Sequence, residues 1–117
     1  MNIDELYTVE DHEKGAKMEL LDQVGKKTGL FFRIVGVDSK TWRGLAKKIQ
    51  TLSEDSDSRG ETAKVLSEAV IGYENIQSEG KELEFSKKTT EKILLNAPYI
   101  MGQITAFILD RANFIKG

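Results

Sequence analysis

The sequence predicts an α+β domain that is mainly α-helical: an N-terminal β-hairpin followed by about four helices, with a break at Pro98. Three observations carry this. Apolar residues recur at helical spacing through most of residues 40–115. One dense aromatic and β-branched run, Leu30-Phe31-Phe32-Arg33-Ile34-Val35-Gly36-Val37, stands across a short polar loop from a second apolar run at 17–23. The single proline, Pro98, divides the most apolar part of the chain.

The length of 117 residues fits one domain, 1–117. A chain of this size buries roughly two-thirds of its unfolded surface, enough for a core without staples. Residues 1–14 are mostly polar, with Asp4, Glu5, Glu10, Asp11 and Glu13, and are expected to form a flexible or loosely docked arm. Ile3, Leu6, Tyr7 and Val9 are its candidate anchors.

The hairpin is expected over 17–23 and 30–37, around the loop Val24-Gly25-Lys26-Lys27-Thr28-Gly29. A lone hairpin is barely stable in water, so its apolar face should pack on helices. Asp38 or Ser39 can cap the next element, because either side chain accepts from the free amides of a first helical turn. Trp42, Leu45, Ala46, Ile49 and Leu52 then recur at helical spacing. Residues 53–60 read as a solvated loop. Ala63, Leu66, Ala69, Val70 and Tyr73 predict a second helical stripe. A turn is expected at Ser78-Glu79-Gly80-Lys81 and an extended piece at Leu83-Glu84-Phe85. Ser86 opens a third helix with Ile93, Leu94 and Ala97 on one face. A fourth starts at Pro98, where a missing amide is tolerated. In it Met101, Ile104, Ile108 and Ile115 form one stripe, widened by Ile100, Phe107 and Phe114.

Little in the chain points to catalysis or to a cofactor. There are no cysteines, so disulfides and thiolate metal sites are excluded, and His12 is the single histidine. Gly25-Lys26-Lys27-Thr28 lacks the upstream glycine of a phosphate-binding loop and has Lys27 where Ser or Thr is needed. Asp55-Ser56-Asp57-Ser58-Arg59-Gly60 resembles the start of a calcium loop, but Arg59 and Leu66 stand where oxygen ligands are required. No nucleophile elbow, metalloprotease helix or dinucleotide fingerprint occurs. The expectation is a protein that is not an enzyme and uses no cofactor and no metal.

The start, Met1-Asn2-Ile3-Asp4-Glu5, lacks the basic start and apolar centre of a signal peptide. The most apolar window, 100–109, is interrupted by Gly102, Gln103 and Thr105 and falls short of the ~20 residues a membrane helix needs. An intracellular protein with no membrane partner is expected.

Formal charge is −2, but it is unevenly spread. Residues 14–48 hold nine Lys and Arg against three acids, an excess of six, leaving −8 elsewhere. With Phe31, Phe32 and Trp42 interleaved, a nucleic-acid surface is one reading. The favoured one buries those aromatics and lets opposite-charge ends associate head-to-tail between copies. The wide stripe of the last helix has more large apolar groups than an intramolecular face needs, and such surplus marks partner surfaces. Taken singly, each apolar residue of the stripe reads first as core; as a partner surface the candidates are Ile100, Phe107, Arg111, Phe114 and Ile115.

The order of several short motifs resembles the tail assembly chaperones of long, flexible-tailed bacteriophages, the lambda-like and related Hong Kong-type lambdoid phages. The motifs are Gly36-Val37-Asp38-Ser39 followed by Trp42-Arg43, then Val70-Ile71-Gly72-Tyr73-Glu74-Asn75-Ile76. Leu83-Glu84-Phe85-Ser86, Leu94-Leu95 with Pro98, and Asp110-Arg111-Ala112-Asn113-Phe114 follow. Related chains often carry tryptophan and glycine where Tyr73 and Asn75 stand here. The resemblance implies a binding protein of virion assembly that acts in the host bacterial cytoplasm and is absent from the finished particle. It implies the tape measure protein as client, recruitment of tail tube protein, and often a longer frameshifted form, whose site would lie near Lys116-Gly117. Two other readings stand beside it: a tail-completion or head–tail connector subunit, and a small nucleic-acid-binding regulator.

Overall fold

The computed structural model describes residues 1–52 and 58–115. A 3-10 turn at Ile3–Leu6 leads into α1 (Val9–Lys14), then β1 (Ala16–Leu21) and β2 (Lys27–Ile34). Next come α2 (Lys40–Gln50), α3 (Ser58–Ser67) and β3 (Val70–Glu74), then a small ribbon of β4 (Gln77–Ser78) and β5 (Lys81–Glu82). The chain closes with α4 (Lys87–Asn96), α5 (Tyr99–Leu109) and a 3-10 turn at Arg111–Phe114. The architecture is the expected helix-rich α+β class.

β1 and β2 pair antiparallel, but their hairpin is neither N-terminal nor alone. Two short helical pieces precede it, and β3 joins β2 to make a sheet of order β1-β2-β3. β3 overturns the helical stripe expected through Val70 and Tyr73, since α3 stops at Ser67. The reason is a bulge. Ile34 faces Val70 and Arg33 faces Gly72, so Ile71 is an extra residue on β3. It shifts the alternation and puts Val70 and Tyr73, three apart, on one face beside Ile34 and Phe32. Three-residue spacing is also what a helix would show. Tyr73 stacks on Phe32 with ring centroids 5.2 Å apart.

The inner sheet face, Met18, Leu20, Phe32, Ile34 and Val70, meets Ala63, Leu66, Leu94, Ile100, Ile104 and Ile108 from α3, α4 and α5 in one core. Ser39 caps α2, accepting from the Trp42 amide at 2.9 Å, and Ser86 caps α4, accepting from Thr89 at 3.0 Å. Lys87 Nζ donates to the carbonyls of Ser67, Glu68 and Val70 at 3.4, 3.2 and 2.7 Å. It thereby closes the C-terminal end of α3 with a cation, and burial pushes its ammonium down from the usual lysine value. The break at Pro98 turns α5 by 117° from α4. That lays α5 across the sheet beside β1.

Residues 1–7 are exposed, and residues 8–14 are docked, though not through the expected apolar anchors. Ile3, Leu6, Tyr7 and Val9 are exposed, whereas His12 is 1% exposed. Its Nδ1 accepts from the Asp38 amide at 2.9 Å, and its carbonyl accepts from Gly36 at 2.9 Å. A side chain on Gly36 would occupy the position of the His12 ring, so this close approach needs glycine. Gly15, at φ +76°, is constrained likewise: a Cβ there would lie 2.6 Å from the Ile34 carbonyl oxygen.

The calcium-like segment falls largely outside the described residues; Arg59 and Gly60 lie in the first turn of α3.

Candidate functional site

Two motifs separated by seventy residues meet at one end of the molecule. Arg111 donates to both oxygens of Asp38, Nε at 2.9 Å and Nη2 at 2.8 Å, and the Thr8 hydroxyl donates to Asp38 Oδ2 at 2.7 Å. The Val37 amide donates to the Ile108 carbonyl at 3.1 Å. The Arg111 fork and the Thr8 hydroxyl hold the Asp38 carboxyl well below the usual carboxylate range, against a smaller opposing effect of burial. Nearby, burial pushes the Glu13 carboxyl up, but the amide and hydroxyl of Thr41 outweigh it and the net shift is downward.

This junction corrects the candidate partner residues. Phe114 is buried, its ring 4.8 Å from His12 and 5.3 Å edge-on from Phe107. Ile100 is buried as well. Neither offers a surface to a partner. The expected stripe treated 100–115 as one helix, but α5 stops at Leu109. Asp110 is extended (φ −95°, ψ 100°) and accepts from the Ala112 amide at 3.1 Å, which starts a 3-10 turn and swings Phe114 into the core. Arg111 is exposed, yet its guanidinium is engaged by Asp38. Ile115 is exposed. Phe107 is half-buried, one edge on Phe114 and the rest facing a surface cleft.

That cleft lies between β1 and α5. It measures about 440 Å³ and is lined by Met18, Glu19, Leu21, Gln103, Ala106 and Phe107. Gln103 fixes the two elements together: its Oε1 accepts from the Leu21 amide and its Nε2 donates to the Leu21 carbonyl, each at 3.0 Å. The one amide in the cleft is thus satisfied, and what remains is largely apolar.

Beside the cleft, α5 turns Tyr99, Gly102, Ala106 and Leu109 outward, with Tyr99 44% and Leu109 56% exposed. Residues 93–109 contain no charged side chain. The other long helices behave differently. α2 exposes Lys40, Arg43, Lys47 and Lys48; α3 exposes Arg59, Glu61 and Lys64; α4 exposes Lys88 and Lys92. The outward face of α5 lies opposite the wide apolar stripe, which is the buried side. Its signal was present all the same: seventeen uncharged residues and a 3-4-3 spacing.

No protein-family model, curated protein or solved structure matches this chain.

Among the described residues no cluster of three His, Asp or Glu side chains is placed to hold a metal ion. No helix there is long and apolar enough to cross a membrane. Of the aromatics interleaved with basic residues, Phe32 and Trp42 are buried. Lys17 lies 4.7 Å from the centre of the Phe31 ring and 2.6 Å from Glu74. Base stacking needs open aromatic faces, and burial withdraws Phe32 and Trp42 from it. The α5 face and the cleft are suited to apolar contact with another protein surface.

Proposed function

We propose that this protein is a tail assembly chaperone of a long-tailed, non-contractile bacteriophage. In this reading it binds the tape measure protein in the host bacterial cytoplasm, keeps apolar helical segments of that client soluble, helps recruit tail tube protein, and is left out of the mature virion. It acts by binding and not by catalysis. Copies associate head-to-tail, with the basic face of α2 toward an acidic region of the next copy.

The observation that carries the reading is the uncharged outward face of α5, an apolar strip on a domain whose other long helices expose charge. The motif order supports it independently. The Gly36–Ser39 and Asp110–Phe114 motifs meet at the junction that holds the end of α5.

Co-expression with the tape measure protein tests it. The expected outcome is a soluble complex, and mass spectrometry of purified virions should find no copy of this chain. A stoichiometric amount in virions would favour the tail-completion or connector reading.

A further inference from the structure

We infer that the free edge of β1 pairs antiparallel with β1 of a second copy, about a two-fold axis at Met18, and so doubles the three-stranded sheet. This contact is distinct from the head-to-tail association through α2, and it does not depend on the chaperone reading.

β1 is an edge strand whose outer side is closed at Leu21, where the amide and carbonyl turn outward to Gln103. The Leu20 carbonyl and the Asp22 amide turn the other way, to the Thr28 hydroxyl and the Lys26 carbonyl. β1 itself carries no extra residue. The irregularity in its ladder lies on β2, where Thr28, Gly29 and Leu30 stand opposite Leu20. Alternation therefore turns the amides and carbonyls of Lys17 and Glu19 outward, on the same side as those of Leu21. Among the described residues nothing bonds to these groups. Met18, Glu19 and Leu21 line the cleft beside α5, so the edge is open there.

Charge selects the register. An axis between two residues would set outward groups against inward ones, so the axis passes through Lys17, Met18 or Glu19. At Lys17 it opposes two lysines and at Glu19 two glutamates, and like charges directly opposite are destabilising. At Met18 it sets Lys17 against the partner's Glu19, and Glu19 against the partner's Lys17, each pair exchanging both backbone hydrogen bonds. Leu21, already held by Gln103, takes no part. The side chains have capacity for these pairs. Lys17 gives Glu74 one N–H donor, at 2.6 Å, and keeps the others. Glu19 accepts from the Gly29 amide through Oε2 at 2.9 Å, leaving Oε1. Lys17-Met18-Glu19 is thus complementary to itself, which selects a second copy over an unrelated strand. The axis of an antiparallel pair stands normal to the sheet, so the α5 helices of both copies fall on one side of it.

A short edge contact lies below the roughly 800 Å² per side of a standard interface, so the dimer is weak, with a dissociation constant on the order of 100 μM. The test is sedimentation velocity of the full-length chain, which should dimerise between about 10 μM and 1 mM. Lys17→Glu and Glu19→Lys each set like charges opposite on both sides of the axis. Each should weaken self-association by about tenfold or more. Mixing the two variants should restore the dimer, because the acidic edge of one then faces the basic edge of the other. Thermal melts check that both variants stay folded. Hydrogen exchange of the wild type gives a local reading that needs no variant. The Lys17 and Glu19 amides should gain protection as concentration rises, while the Met18 amide, already bonded to β2, should not. A wild type that stays monomeric throughout this range, a dimer that neither substitution weakens, or a mixture of folded variants that does not associate overturns the inference.

Discussion

Gln103 stands in for a neighbouring strand: its side-chain amide makes both hydrogen bonds that a β-partner would make to the backbone of Leu21. An edge strand is thereby covered without a further strand, and α5 is held at a fixed height over β1. The cleft and the outward face of α5 owe their position to this clasp.

Gln103→Ala leaves the Leu21 amide and carbonyl without these partners. A loss of about 1–3 kcal/mol is expected in urea unfolding. Hydrogen exchange offers a local check, since the Leu21 amide should lose protection more than the Phe32 amide does.

Gly36→Ala forces a methyl group into the His12 ring and should destabilise by about 1–3 kcal/mol. Combining it with His12→Ala should recover part of that loss. A double-mutant cycle with no coupling would mean that the two residues do not share this space.

Acid sensitivity follows from Asp38. Its folded pKa lies below the ordinary value near 3.9. The unfolded chain therefore binds more protons, and stability rises with pH through this range. The contribution is full above about pH 4 and is lost as the pH falls toward the folded value. Glu13 adds in the same direction. Urea midpoints between pH 7 and pH 3 should fall steeply for the wild type. Asp38→Asn should start lower at pH 7 and fall less.

Phe114 and Ile115 are adjacent in sequence and opposite in environment. Phe114→Ala should cost about 3–5 kcal/mol by emptying the space between His12 and Phe107. Ile115→Ala should stay within about 0.5 kcal/mol. Thermal or denaturant melts of the two variants separate core from surface directly.

Gly102→Ala should raise stability by up to about 1 kcal/mol, because helix interiors favour alanine and the site is open. A lower melting temperature would show that glycine is required by the monomer.

Local rules made much of the fold legible. Ser39 and Ser86 cap the helices expected of them, and Pro98 separates α4 from α5. What escaped depends on contacts between distant parts of the chain. The Ile71 bulge gives β3 a helix-like spacing, and only pairing with β2 reveals the strand. Burial of His12 depends on the missing side chain at Gly36, twenty-four positions away. The candidate site was half legible. Phe107 borders the cleft, but Ile100 and Phe114 proved to be core once Asp110 ended the helix. Large apolar residues mark the inward face of α5, while the outward face is marked by small residues and by the absence of charge.

The central claim is that this chain keeps a tape measure protein soluble by contact through α5. The most direct measurement is the soluble fraction of that protein expressed alone, with the wild-type chain, and with Ala106→Glu. The account predicts a soluble complex with the wild type, and aggregation when the client is alone or accompanied by the variant. A tape measure protein whose solubility is the same in all three conditions would contradict it.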